Sequence, residues 1–161
     1  MDRPLWQPDA RRIAAANITR FRAAVARDWG AMLPDYASLH RWSVENSERF
    51  WRSLWRFADV IGEGPGEPGL LDGDRMPGAR FFPDARLNFT ENLLRQRHDG
   101  DALVFWGEDK LKRRMSHAEL HDLVSRLQQA MRATGIMAGD RVAGFVPNLP
   151  ETIAEIGRAH V

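Results

Sequence analysis

The 161-residue chain contains no cysteine, which excludes disulfide bonds and thiolate metal sites and is typical of a reducing compartment. No apolar run approaches the roughly 20 residues that a helix needs to cross a bilayer. The amino terminus, residues 1–6, lacks the apolar core of a secretory signal peptide. Together these absences predict a soluble, cytoplasmic chain with no membrane partner and the length of one domain.

The chain also lacks an excess of charge of either sign. Lys and Arg number 23 and Asp and Glu number 22, so the formal net charge is +1. A predicted helix from about Pro8 to Asp28 has a basic face, which could contact nucleic acid or a membrane. Because the total charge is balanced, we interpret the basic side as a solvated face and the apolar side of the same helix as a packed stripe, and we expect no nucleic-acid partner. The basic residues are Arg11, Arg12, Arg20, Arg22 and Arg27.

Two further helices are predicted before residue 60, one from Tyr36 to Trp42 and one from Glu48 to Ala58. The second of these has a wide aromatic stripe at helical spacing. Such a stripe could be a platform for a ligand, but packing is its commoner use. The apolar residues of the stripe are Phe50, Trp51, Leu54, Trp55, Phe57 and Ala58.

Residues 62–69 form a glycine-rich run, Gly-Glu-Gly-Pro-Gly-Glu-Pro-Gly. A glycine-rich loop can cradle a phosphate, but such loops follow a strand, begin a helix and use Ser, Thr or Lys. This run has two carboxylates and none of those donors. We therefore interpret residues 62–75 as a flexible linker.

A hairpin and a long helix are predicted in the second half of the chain. Residues 102–106 are apolar and strand-like, residues 107–110 form a turn, and residues 111–115 return with mixed polarity. Ser116 and Glu119 have the spacing of a capping box, which predicts a helix from here to Thr134.

Two histidines on that helix are candidate metal ligands. His117 and His121 are four residues apart, so both imidazoles could bind one ion. The zinc-protease pattern requires Glu directly after the first His, whereas Glu119 comes two residues later. No obvious third ligand lies near them in the sequence. We favour two exposed imidazoles and predict no metal-binding residue.

The stretch from Gly135 to Glu151 predicts a helix exit, a turn, a strand and a new helix. Gly135 can adopt the left-handed conformation that ends a helix. Residues 141–146 are a short, mostly apolar run, and Pro147 would end a strand there. Pro150 suits the first turn of the next helix. This succession predicts the α/β fold class with a parallel strand.

Several of these segments resemble the acyl-adenylate-forming (AMP-dependent) synthetases. Residues 139–142, Gly-Asp-Arg-Val, and 147–151, Pro-Asn-Leu-Pro-Glu, are similar to an early signature of the N-domain in that family. Residues 76–95, which begin Met-Pro-Gly-Ala-Arg-Phe-Phe-Pro, are similar to a second family segment. Three segments resemble the amino-terminal sequence of the acetoacetyl-CoA synthetase branch, namely Leu5-Trp6-Gln7-Pro8, residues 36–44 and Phe50-Trp51.

The resemblance implies the amino-terminal fragment of an acetoacetate–CoA ligase. Its domains would be a helical extension over residues 1–61, the linker over 62–75, and the start of the AMP-binding domain over 76–155. Complete members are expected to form an acyl-adenylate from acetoacetate and ATP, which the CoA thiol then attacks. The cofactors implied for the full-length family are ATP, CoA and Mg²⁺, none of which we expect this fragment to bind well.

The family's phosphate loop, adenylate motifs and catalytic lysine all lie downstream, so no catalytic, cofactor-binding or metal residue is predicted in this chain. The fragment itself is expected to be inactive. Two alternatives stay open, namely a fragment of an acetyl- or propionyl-CoA synthetase and a non-catalytic interaction module.

Residues 156–161, Ile-Gly-Arg-Ala-His-Val, depart from the family pattern. These six residues can be encoded by ATC-GGA-AGA-GCA-CAC-GTC, which is the start of a common DNA-sequencing adapter. We therefore predict that residues 156–161 are a non-native tail. Without further strands, the edge of the strand at 141–146 would stay open. Self-association of the fragment through that edge is therefore expected.

Overall fold

The computed structural model describes residues 5–108, 110–137 and 139–158, with residues 156–158 described by their backbone. The chain divides into two compact units, the first ending at Ala85 and the second beginning at Arg86. The elements are α1 (Ala10–Ala15), α2 (Asn17–Trp29), α3 (Tyr36–Glu45), α4 (Ser47–Phe57), β1 (Leu70–Leu71), β2 (Arg80–Phe81), α5 (Phe89–Leu93), β3 (Asp101–Trp106), β4 (Lys112–Ser116), α6 (His117–Ala133) and α7 (Pro150–Arg158).

The first predicted helix is two helices, so the prediction of one continuous helix was wrong at Ala16. That residue has an extended backbone, with φ of −68° and ψ of 139°, between α1 and α2. The Ile13 carbonyl at the end of α1 accepts the Thr19 hydroxyl at 2.7 Å. The break is stable because this side chain replaces the lost intrahelical hydrogen bond. Helix α2 then ends at Gly30, whose φ of 63° is left-handed.

Helices α2, α3 and α4 enclose the core of the first unit. Phe21, Val25 and Leu39 are buried at its centre. Asp35 begins α3 by accepting the Ser38 amide at 2.8 Å in a capping box. The two helices predicted before residue 60 are confirmed, with α3 three residues longer than expected. Partly buried residues pack around the centre, namely Trp29, Leu33, Trp42, Phe50, Leu54 and Phe57.

Residues 67–82, here called the strap, leave the helices and return along α4. Within the strap, β1 and β2 pair antiparallel with Leu70 opposite Phe81. The Gly69 carbonyl also accepts the Phe82 amide at 2.9 Å. Part of the segment interpreted as a flexible linker therefore has an ordered turn with its own ladder, while the domain boundaries stay a prediction.

The second unit contains the predicted hairpin and long helix. Strands β3 and β4 pair antiparallel with Leu103 opposite Met115. The capping box is confirmed, since Ser116 accepts the Glu119 amide at 3.1 Å and Glu119 accepts the Ser116 amide at 2.8 Å. Gly135 has a φ of 85°, as expected after a helix. The buried core of this unit is Met115, Leu120, Val124 and Ala154.

The predicted parallel strand over residues 141–146 is not formed. The two described sheets are antiparallel pairs, and this segment belongs to neither of them. A parallel strand takes its hydrogen bonds from neighbouring strands, and the described part of the chain places none beside it. Val142 and Phe145 are consequently exposed. The wider class, a mixed α/β structure, is confirmed.

Helix α7 begins at Pro150, the position predicted for a first turn. Residues 159–161 of the predicted non-native tail lie outside the described residues. No helix within the described ranges has both the length and the apolar character needed to cross a bilayer.

Candidate functional site

Helix α4 presents two faces that contact different parts of the first unit. One face contributes Phe50, Leu54 and Phe57 to the core. The other face contacts the strap, and its residues follow the i, i+3, i+4, i+7 spacing that places side chains on one side of a helix. The residues of this second face are Glu48, Trp51, Arg52 and Trp55.

A polar cluster joins α4 to the start of the strap, and we call it the latch. One carboxylate oxygen of Glu48 accepts Arg52 Nη2 at 3.0 Å, Arg52 Nε at 3.3 Å and the Gly69 amide at 2.9 Å. Arg52 Nη2 also donates to Glu67 Oε2 at 2.5 Å. Arg52 is 8% exposed, and a buried guanidinium requires such partners. The latch therefore consists of Glu48, Arg52, Glu67 and Gly69.

The charge on Glu48 is stabilised in place. Its hydrogen bond from Arg52, followed by that from the Gly69 amide, holds the pKa of the carboxyl below its ordinary value. Hydrogen bonds to an ionised acceptor are stronger than those to a neutral one. Glu48 is therefore an anion near neutral pH, and it accepts the hydrogen bonds from Arg52 and the Gly69 amide in its ionised form.

Gly69 allows the strap to come this close to α4. A Cβ atom at residue 69 would lie 2.8 Å from Arg52 Nη2 and 2.8 Å from Glu48 Oε1. Any other residue would push the two side chains away from the backbone amide. The last glycine of the glycine-rich run thus allows the backbone of the strap to lie close to the Glu48 carboxylate.

Two aromatic pairs hold the other end of the strap. The rings of Trp51 and Phe81 meet edge to face with centroids 5.8 Å apart, and those of Trp55 and Phe82 do so at 5.3 Å. Both distances lie in the favourable range for such pairs. Phe82 has a φ of 46°, an uncommon backbone conformation for a bulky residue. The aromatic stripe predicted from the sequence is thus divided between the core and the strap.

The other candidates from the sequence have different surroundings. In the glycine-rich run, the Gly69 amide already donates to a carboxylate, so it offers no empty anion cradle. The His117 ring lies against the His98 ring at 4.6 Å, and His121 Nδ1 is 3.8 Å from an oxygen of Asp122. Among the described residues, no group of three or more potential ligands could hold a metal ion. The latch, by contrast, was not predicted, because Glu67 and Gly69 come from a distant part of the chain.

A family model named "Acetyl-coenzyme A synthetase N-terminus" matches residues 36–93. The match begins with α3 and ends with α5, so it includes all of α4 and the strap. The segment that the family model describes is thus the segment in which the latch and the aromatic pairs lie.

Curated relatives match most of the chain. An acetoacetyl-coenzyme A synthetase of Rhizobium meliloti (strain 1021) is 53% identical over 153 residues, which are 95% of this chain and 23% of that protein. An acetyl-coenzyme A synthetase 2 of Pseudomonas putida is 35% identical over 145 residues, which are 84% of this chain and 22% of that protein. The chain spans less than a quarter of the length of these relatives.

A solved structure agrees with the sequence matches. The acetoacetyl-CoA synthetase from Streptomyces lividans is 41% identical and superimposes with a TM-score of 0.83. The superposition covers 99% of this chain and 25% of that one. The fold of this chain is therefore that of one region of a longer protein chain.

Proposed function

Because the chain is homologous over almost its whole length to the amino-terminal region of the acetoacetyl-CoA synthetases, we propose that it supplies this region to an AMP-forming acid–thiol ligase. The overall reaction would convert acetoacetate, ATP and CoA to acetoacetyl-CoA, AMP and pyrophosphate. The observation that carries the proposal is the 53% identity over 95% of the chain.

The proposed chemistry has two steps. The acetoacetate carboxylate first displaces pyrophosphate from ATP and becomes an acyl-adenylate, with Mg²⁺ accompanying the nucleotide. The CoA thiol then attacks the acyl carbon, AMP leaves, and a thioester forms. Adenylation is needed because a free carboxylate is a poor acyl donor, and AMP is a much better leaving group than oxide.

In this proposal the chain provides architecture to the ligase and no reacting group. The described residues contain no group of three ligands for a metal ion, and the glycine-rich run carries carboxylates instead of phosphate-binding donors. We assign no residue of this chain to ATP, CoA or Mg²⁺. We propose that the 161-residue chain alone is inactive. The absence of cysteine supports the separate proposal that the ligase acts in the reducing cytoplasm.

An assay of acyl-CoA formation tests the proposal. The product of the complete gene, supplied with ATP, CoA and Mg²⁺, is expected to use acetoacetate in preference to acetate and propionate. The 161-residue chain in the same assay is expected to release no AMP above the blank. Preference for acetate in the complete protein would assign the chain to the acetyl-CoA synthetase branch instead.

That branch is the second candidate, because the family model bears its name and the Pseudomonas putida relative is an acetyl-coenzyme A synthetase. A third possibility, a non-catalytic interaction module, would gain support if the complete gene product consumed no ATP with any of the three acids.

A further inference from the structure

We propose that the strap opens from α4 as a separate unit, and that the Glu48 carboxylate controls this opening. The inference concerns residues 47–82 and is independent of the reaction that the complete protein performs. It rests on the latch at one end of the strap, the aromatic pairs at the other end, and the hydrogen bonds within the strap itself.

The strap can leave α4 without losing its own structure. Its internal hydrogen bonds join Leu70 to Phe81 across the β1–β2 ladder and connect the Phe82 amide to the Gly69 carbonyl. None of these bonds involves α4. Much of its apolar surface already faces solvent, since Phe81 is 45% and Met76 is 99% exposed. Segments with few buried apolar contacts open at lower free energy than the core does.

Glu48 is the controlling group because one of its carboxylate oxygens binds both the helix and the strap. That oxygen binds both Arg52 of its own helix and the Gly69 amide of the strap. Loss of its charge weakens both bonds and removes the ionised partner of Arg52 on α4. The interaction of Arg52 with Glu67 is a weaker attachment, because the Glu67 side chain is 79% exposed and screened by water.

The charges around Glu48 predict the direction of the pH effect. Arg49 and Arg52 on α4 both favour the Glu48 anion, and Glu67 is the carboxylate that the strap contributes to the latch. The pKa of Glu48 lies below its ordinary value of 4.5 in the closed strap. The contribution of the Glu48 anion to the stability of the closed strap is therefore complete above about pH 4.5. It is lost as the pH falls through the lowered pKa of Glu48.

Phe82 supplies a second reason for the strap to open as a unit. A bulky residue with a φ of 46° persists only where its surroundings hold it. Here Trp55 on α4 and the Gly69 carbonyl hold it. Because the hydrogen bond between Phe82 and Gly69 lies within the strap, this part of the support moves with Phe82 when the strap opens.

Amide hydrogen exchange of the 161-residue chain, followed by NMR, tests the proposal. In Glu48→Gln at pH 7, we expect the Gly69 amide to exchange about three- to tenfold faster than in the wild type. The Phe82 amide, which donates to the Gly69 carbonyl within the strap, should keep its wild-type rate. Glu67→Gln is the matched control on the same guanidinium, with an expected change of less than about twofold. The amides of α4 and α6 should keep their wild-type exchange rates in both variants.

The pH dependence separates control by Glu48 from a merely structural role. After correction for intrinsic exchange, the wild-type protection of the Gly69 amide should be constant above about pH 4.5 and fall as the pH is lowered below it, while α4 stays protected. In Glu48→Gln this fall should be absent. The proposal is overturned if Glu48→Gln leaves the Gly69 amide at its wild-type rate, if Gly69 protection in that variant falls with pH as in the wild type, or if α4 loses protection together with Gly69.

Discussion

Val25 on α2 is the largest fully buried side chain among the described residues and lies in the first core. Replacement by alanine removes two methyl groups and leaves a small cavity. We expect Val25→Ala to lower the free energy of unfolding by about 2 kcal/mol.

Urea denaturation followed by tryptophan fluorescence measures this loss. Ile18→Ala is the matched control, because Ile18 lies on the same helix and is 48% exposed. Its effect should be below about 0.5 kcal/mol. Equal losses in the two variants would show that Val25 is not packed as the structure places it.

Thr90 in α5 provides a prediction of the opposite sign. Its hydroxyl is buried and has no hydrogen-bond partner among the described residues. An unsatisfied buried hydroxyl costs free energy, whereas a methyl group of similar shape does not. We expect Thr90→Val to raise the free energy of unfolding by roughly 0.5–1 kcal/mol.

The same denaturation measurement checks Thr90→Val, with Thr90→Ala as its control. The alanine variant removes the hydroxyl and also the methyl group, so it should be less stable than the valine variant. A valine variant less stable than the wild type would indicate that the hydroxyl donates to or accepts from a group on the folded chain.

Several single residues could be assigned from the sequence because their reasons are local. Ser116 with Glu119 and Gly135 act within one turn of their own helix, and the structure confirms both. Gly69 could not be assigned in this way. Its role depends on two side chains of α4 about twenty positions earlier in the chain, and no local pattern encodes that distance.

At the scale of elements, α7 is joined to the β3–β4 hairpin by an ion pair. Arg113 on β4 donates to Glu151 on α7 at 2.5 Å. The hydrogen bond from Arg113 lowers the pKa of the Glu151 carboxyl. Both side chains are nearly half exposed, so we expect a coupling of only about 0.5 kcal/mol at pH 7.

A double-mutant cycle of Arg113→Gln and Glu151→Gln measures this coupling. Because the lowered pKa belongs to the folded state, the coupling should be present above about pH 4.5 and disappear as Glu151 is protonated below it. High salt should reduce it at pH 7. A coupling that persisted unchanged at pH 3 would contradict the ion pair.

Elements that satisfy their own hydrogen bonds were predictable from the sequence, and elements that depend on neighbours were less so. The hairpin at 101–116 pairs with itself and was confirmed. The strand at 141–146 was predicted from an apolar run that would need other strands on either side. The described residues supply none, so the run is not paired in a sheet.

At the scale of the whole molecule, this unpaired run exposes apolar side chains close together in the sequence. Phe145 is fully exposed at 108%, and Val142 and Val146 are each more than two-fifths exposed. We propose that copies of the 161-residue chain associate through residues 141–146, since exposed apolar segments with free backbone groups recruit partners.

Sedimentation velocity over a range of protein concentrations tests this association. The wild-type chain should form larger species as the concentration rises, and Phe145→Ser should shift the distribution toward the monomer. Met32→Ser is the control, because Met32 is 92% exposed but lies in the first unit. A wild-type chain that stays monomeric throughout would refute the proposal.

The short distance between Gly69 and the side chains of α4 also determines how the chain responds to substitution at residue 69. The atoms that a new Cβ would meet are Arg52 Nη2, Glu48 Oε1 and Glu48 Cγ, which belong to two flexible side chains and not to backbone. A saturation library at codon 69 should therefore yield folded chains for many residues. When that library is sorted by protease sensitivity, the chain with glycine should be more resistant than chains with any of the other nineteen residues. Only glycine leaves the Glu48 and Arg52 side chains in their present positions.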